Sequence, residues 1–198
     1  GQRTEADRPD QALPLLLEVK AIADQSASPI AQLAWNRALG DVYSKLGNFE
    51  KALGHFLAAL RLADQQPKRQ ARAKLDQLNS LGTLYWTMKE PQKSVEYLDQ
   101  ALALAPQVGS TTTLTSLKIN RGNALTDLGR SSEALADYQD ALKFSRASGL
   151  VESEIVVLIN LADHYLRLRN FDLAATFAKH ALSKAEKTGS KASGAIAR

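Results

Sequence analysis

Apolar positions follow the helical period through most of the chain, and one arrangement of them returns at nearly constant spacing. The reference copy is Asn36 to Leu60, NRALGDVYSKLGNFEKALGHFLAAL. Its small residue Ala52 is matched further on by Ser94, Ala134 and Ala174, at intervals of 42, 40 and 40. A second column holds Gly40, Gly82, Gly122 and Ala162, and a third Ala59, Ala101, Ala141 and Ala181, each followed by leucine. A period in this range belongs to stacked supersecondary units, so the expected fold is all-α, built of antiparallel helix pairs.

The punctuation gives the elements. Ser28 offers a side-chain acceptor to the orphan amides of a helix start, and Pro29 lacks a donor where none is needed, so a helix should run from there to about Leu46. Gly47 and Asn48 break it, and Phe49 opens a second helix with Ala52, Leu53, Phe56, Ala59, Leu60 and Ala63 on one face. The next pair carries Leu81, Tyr85 and Met88, turns at Lys89 and Glu90, restarts at Pro91 and is expected to end at Pro106. The third runs from Thr111 to Thr113 through Leu125 and Leu128 to Gly129, then from Ser131 to about Ala147, closed by Gly149. The fourth carries Leu158, Leu161, Tyr165 and Leu168, turns at Arg169 and Asn170, and continues from Phe171 to about Lys187, with Gly189 as the stop. The repeats therefore read as 29–66, 71–106, 111–148 and 150–187 within one segment, 1–198. Leu13, Leu16, Val19, Ile22 and Ala23 mark a half repeat at 9–25, and 190–198 would begin a further one. With no polar capping helix at either end, a segment of a longer protein is expected.

Gly40, Tyr43, Ala52, Phe56 and Ala59 resemble the small, aromatic, small, bulky and small columns of the tetratricopeptide repeat, over residues 33–187. The resemblance implies a right-handed superhelical solenoid whose first helices line a concave groove, and a non-enzymatic scaffold that binds a peptide or helix of another protein there. The usual period is about 34 residues, so the longer one here adds roughly one helical turn to each helix. Such long repeats resemble those of kinesin light chains, spindle-orientation adaptors and bacterial regulatory proteins. There are departures: Arg121 stands in the column of Leu39, Leu81 and Leu161, and Ser94 replaces the anchor alanine. Ala178 stands where Phe56 and Tyr138 do, with Phe177 one position earlier as its expected compensation.

Helical spacing picks out the face of each first helix opposite the core. It comprises Ala34, Arg37, Ala38, Asp41, Ser44 and Lys45 in the first, and Asp76, Asn79, Ser80, Thr83, Trp86 and Thr87 in the second. The third contributes Ser116, Ile119, Asn120, Asn123, Thr126 and Asp127, and the fourth Val156, Ile159, Asn160, Asp163, Leu166 and Arg167. Asn79, Asn120, Asn123 and Asn160 suit an extended backbone, since an amide offers a donor and an acceptor whatever the ligand sequence. Trp86 has the area and single donor of an interface anchor, although a shift of register would place it in the core. Arg37, Lys45 and Arg167 stand against Asp41, Asp76, Asp127 and Asp163, so the face is not basic. It lacks the lysine, asparagine and arginine clamp with which chaperone-adaptor repeats hold a C-terminal carboxylate.

Composition narrows the function further. A net charge of +4 and a pI of 9.3 come from 25 basic and 21 acidic residues, a mixed surface rather than a nucleic-acid footprint. The run Lys68, Arg69, Arg72 and Lys74 has no aromatic residue interleaved and reads as a solvated helix entrance. The absence of cysteine removes disulfides and thiolate chemistry. His55, His164 and His180 are too far apart for a local metal motif, and the column of His164 makes it a core histidine. Glu152 and Glu154 read as ordinary helix-start charges. No catalytic residue, cofactor, metal, nucleic-acid or membrane partner is expected; the apolar run Ala12 to Val19 is too short for a span and contains Pro14. A cytoplasmic setting is expected, with the periplasm as the alternative. A sensory segment of a larger bacterial signalling protein, and self-association through the uncapped ends, are the competing readings.

Overall fold

The computed structural model describes residues 9–18, 28–65 and 67–189, excepting the side chains of 67–70. Val19, Ile22 and Ala23, residues 190–198, and the side chains of Lys68 and Arg69 lie outside the described residues. Every described element is a helix: α1 (Pro9–Glu18), α2 (Pro29–Lys45), α3 (Phe49–Asp64), α4 (Pro67–Thr87), α5 (Pro91–Val108), α6 (Thr111–Asp127), α7 (Ser131–Ala147), α8 (Val151–Arg167) and α9 (Phe171–Thr188). The chain forms two compact units, Gly1–Leu104 and Ala105–Arg198.

Side chains cap the helices where the sequence offers them. Ser28 Oγ accepts from the Ala31 amide, Asn48 Oδ1 from Lys51, Ser110 Oγ from Thr113 and Asn170 Oδ1 from Leu173. One turn design joins α2 to α3, α4 to α5, α6 to α7 and α8 to α9. The residue at its bend has positive φ, at Gly47, Lys89, Gly129 and Arg169, and the following N–H reaches back to the carbonyl of Tyr43, Tyr85, Leu125 or Tyr165 at 2.9 Å. Glycine adopts this conformation without cost, whereas Lys89 and Arg169 hold it against Cβ sterics. Pro106 does not end α5 but sits in its last turn, where only one hydrogen bond is lost, and the helix continues to Val108.

Inside each pair, size is matched across the helices. A Cβ on Gly40 would stand 2.4 Å from the Phe56 ring, one on Gly82 2.5 Å from Leu98, and one on Gly122 2.6 Å from the Tyr138 ring. The fourth pair has Ala162 and Ala178 in these two columns, so the small Ala178 is compensated by Ala162, which is larger than the glycines of the other pairs. Phe177 is not the substitute for the missing ring that the sequence implied: it stacks on Tyr165, with centroids 5.5 Å apart. Tyr43 on His55 (5.5 Å) and Tyr85 on Tyr97 (5.3 Å) are the same stack in the first two pairs.

The third pair replaces that stack with charge. Leu125 and Asp137 occupy the two columns, and Asp137 is buried. Its carboxylate accepts from Lys118 Nζ at 2.8 Å and from Arg121 Nε and NH2 at 2.6 and 2.8 Å. The leucine column therefore carries Arg121 because its helix-mate carries Asp137. Hydrogen bonds from Asp137 and Asp140 raise the pKa of Lys118 against the opposing effect of its burial. Two further polar groups, the Gln77 amide and the Ser94 hydroxyl, are buried without a hydrogen bond.

Within each unit the two pairs are bolted by one ionic position, with its polarity inverted between the units. Asp64 binds Lys74 at 2.6 Å in the first unit, and in the same two columns of the second Arg146 binds Glu154 at 2.9 Å. Glu154 also binds Lys184 and is 5% exposed, which overturns its reading as an ordinary helix-start charge. Burial opposes its ionisation, but the hydrogen bonds from Lys184 and Arg146 outweigh it and hold the carboxyl below the usual range.

Candidate partner-binding faces

The exposed sides of the first helices in each unit are formed by residues that cannot pack, because the opposite sides of the same helices carry Leu39 and Tyr43, Leu81 and Tyr85, Leu117 and Leu125, and Leu158 and Leu161 into the core. In the first unit, Arg37, Asp41 and Lys45 of α2 and Thr83 of α4 are exposed, and Asn79 and Trp86 are half-buried. Arg37 NH1 meets Asp76 Oδ2 at 3.5 Å, drawing α2 and α4 together, and Arg72 Nε takes the other oxygen at 3.2 Å. Lys74 is committed to Asp64, so the two described cations of the basic run are both ion-paired. Trp86 is not in the core; the Lys89 ammonium lies 5.9 Å from its ring centroid.

In the second unit, Asn120, Asn123 and Asp127 of α6 and Asn160 of α8 are half-buried, and Asp163 and Arg167 are exposed. Arg167 holds both carboxylates, NH1 to Asp127 at 2.9 Å and Nε to Asp163 at 2.8 Å. Two aspartates against one arginine leave this face with one net negative charge. Leu166 (53% exposed) and Val156 add apolar surface. Ile119 departs from the expected face: it is 8% exposed and belongs to the core. No helix among the described residues is long and apolar enough to cross a membrane, and no cluster of His, Asp and Glu there could hold a metal.

The tetratricopeptide repeat family matches residues 30–107 and 112–187. The chain belongs to this family. No curated protein matches it. Among solved structures, this tetratricopeptide repeat chain is similar to BtubC (BKLC) from P. vanneervenii, at 22% identity and TM-score 0.74, over 93% of this chain and 75% of that one. It is similar to the kinesin light chain TPR-like repeats of Podosopora anserina, at 20% identity and TM-score 0.74, over 92% and 89%. A third is the Rap conjugation gene regulator of plasmid pLS20 in complex with the Phr* peptide, at 18% identity and TM-score 0.70, over 92% and 54%. The kinesin light chain likeness implied by the long period is thus found in the fold.

Sequence reasoning on this tetratricopeptide repeat chain missed what lies beneath Asn123. Tyr138 Oη donates to Asn123 Oδ1 at 2.8 Å and lies 3.2 Å from Thr126 Oγ1, which is 2.9 Å from His164 Nδ1. His164 is 1% exposed, as its column implied, and its Nε2 has no hydrogen-bond partner. Burial lowers the His164 pKa, with Asp163 opposing and Arg167 reinforcing the shift. Burial pushes the Tyr138 phenol up to about 12, so it keeps its proton. The only hint in the sequence was the presence of a histidine in a column otherwise filled by Val42, Leu84 and Ala124.

Proposed function

We propose that this chain is a non-enzymatic scaffold that binds a peptide or helix of another protein on the groove faces of its first helices. The observation that carries it is the second unit's face: amides at Asn120, Asn123 and Asn160 beside exposed Leu166 and Val156, with its charges already paired. Amides satisfy a partner's backbone and the exposed apolar groups supply area, the two components of peptide recognition. The similar Rap regulator is in complex with a peptide, which supports the same reading here. A pull-down with residues 1–198 as bait identifies the partner, and calorimetry then compares variants. Trp86→Ala is expected to cost about 2 kcal/mol of binding and Asn123→Ala about 1 kcal/mol. Unchanged affinity in both would remove the groove assignment.

A regulatory segment of a larger signalling protein is the second reading, favoured by the likeness to the Rap gene regulator, of which the chain spans 54%. A parent chain with no further domain would remove it.

A further inference from the structure

The four polar groups beneath the second unit's face form one chain, and with a neutral His164 ring its proton count has only two solutions. Tyr138 has a single hydroxyl proton and so has Thr126. In the first solution His164 Nδ1–H donates to Thr126, Thr126 to Tyr138, and Tyr138 to Asn123 Oδ1. The second runs in reverse, with the Asn123 amide rotated so that its NH2 donates inward and the proton of His164 on Nε2.

The buried end of the chain decides between them. His164 Nε2 is buried and makes no hydrogen bond. The first solution leaves a bare lone pair there, and the second leaves a bare N–H. Buried orphan N–H groups are the rarer and costlier of the two. The first solution also agrees with Oδ1 being the Asn123 atom 2.8 Å from the phenol. The Asn123 NH2 is thereby turned away from the core, and it makes no hydrogen bond among the described residues.

We propose that His164, Thr126 and Tyr138 are positioning residues that lock the polarity of the Asn123 amide, so that the second unit offers a donor pair there and takes a backbone carbonyl oxygen of its partner. This rests on the reading of that face as partner-binding. The adjoining charges fit a neutral acceptor: Asp127 and Asp163 outnumber Arg167, so a carboxylate is repelled where a carbonyl is not.

Two measurements test this. Nitrogen-15 NMR of the histidine rings in the full chain reads the tautomer, with His164 assigned by the loss of its signals in His164→Gln. The Nδ1–H tautomer is expected, and an Nε2–H tautomer overturns the proposal. The second measurement uses peptides selected on the immobilised chain from a phage-displayed random library. Asn123→Asp keeps the acceptor for Tyr138 and removes both outward donors, so it is expected to weaken the selected peptides by about tenfold or more with the melting temperature little changed. Tyr138→Phe is expected to weaken them less, because the released amide still samples the correct orientation. Affinity unchanged in Asn123→Asp, while Asn160→Ala and Arg167→Ala reduce it, overturns the donor assignment and leaves the face intact. If no variant matters, or the library yields no binder, the face reading fails, and the tautomer still decides the relay.

Discussion

The ring of Tyr138 lies in the space that a side chain on Gly122 would need, with its Cε1 2.6 Å from where a Cβ would stand. The contact is between a rigid ring and a helix backbone, so neither side can give cheaply. Gly122→Ala should therefore destabilise the chain by about 1–3 kcal/mol, although alanine favours a helix over glycine by about 1 kcal/mol. In a Tyr138→Ala background the same substitution should be neutral or stabilising, reproducing the Ala162 and Ala178 arrangement of the fourth pair. Urea denaturation of the four proteins of the cycle measures the coupling; additive effects would refute it.

The Asp137 cluster predicts a second asymmetry. Asp137→Ala leaves Lys118 and Arg121 partly buried without their shared anion and should cost about 3–5 kcal/mol. Replacing the group with the residues of the second repeat, Lys118→Leu, Arg121→Leu, Leu125→Tyr and Asp137→Tyr together, should restore stability to within about 1–2 kcal/mol of the natural chain or above it. Thermal melts of both variants compare directly.

Ser94 occupies the anchor column that Ala52, Ala134 and Ala174 fill elsewhere, and its hydroxyl is buried without a hydrogen bond. Ser94→Ala removes an unmet desolvation cost at almost unchanged volume. A gain of about 1 kcal/mol is expected in denaturant unfolding, and a loss would mean that the hydroxyl has a partner.

Acidification should weaken the second unit through His164. Its folded pKa lies below the ordinary 6.5 because burial disfavours the cation, so the unfolded chain binds the proton more readily. The stabilisation is complete above pH 6.5 and is lost as pH falls through the folded value. His164→Leu, following Leu84 in the same column, should flatten this part of the stability profile. Glu154 acts in the same direction at lower pH, because its folded pKa lies below 4.5 and its stabilisation disappears as the carboxyl protonates. Chemical denaturation across this pH range, with and without His164→Leu, separates the two.

Arg169 offers a backbone test. It holds φ at 59° in a turn whose first and third counterparts are Gly47 and Gly129. Arg169→Gly should raise stability by up to about 1 kcal/mol, the left-handed penalty less the entropy of an added glycine. An Arg169→Val variant should fall by more, since a β-branched residue is the least tolerant of positive φ.

Where a property depended on neighbours along one helix, the residues alone were enough to read it. Ser28 with Pro29, Asn48, Gly129 and Gly189 announce helix ends because capping and left-handed turns use local groups, and the spacing of Leu39 and Tyr43 against Arg37, Asp41 and Lys45 divides a helix into two faces because 3.6 residues make a turn. Pro106 was the local exception, since a proline in a last turn removes too little bonding to stop the helix at once. What only the tertiary structure decided was which side chains meet across helices. Arg121 looked like a defect in a leucine column until Asp137 was found against it, Glu154 looked like a solvated charge until Arg146 and Lys184 closed on it, and Asn123 looked like one amide among four until Tyr138 was found beneath it. Periodicity specifies the direction a side chain takes from its own helix; whether a charge or an amide is met there depends on distances and desolvation set by another helix, and neither is written in the spacing.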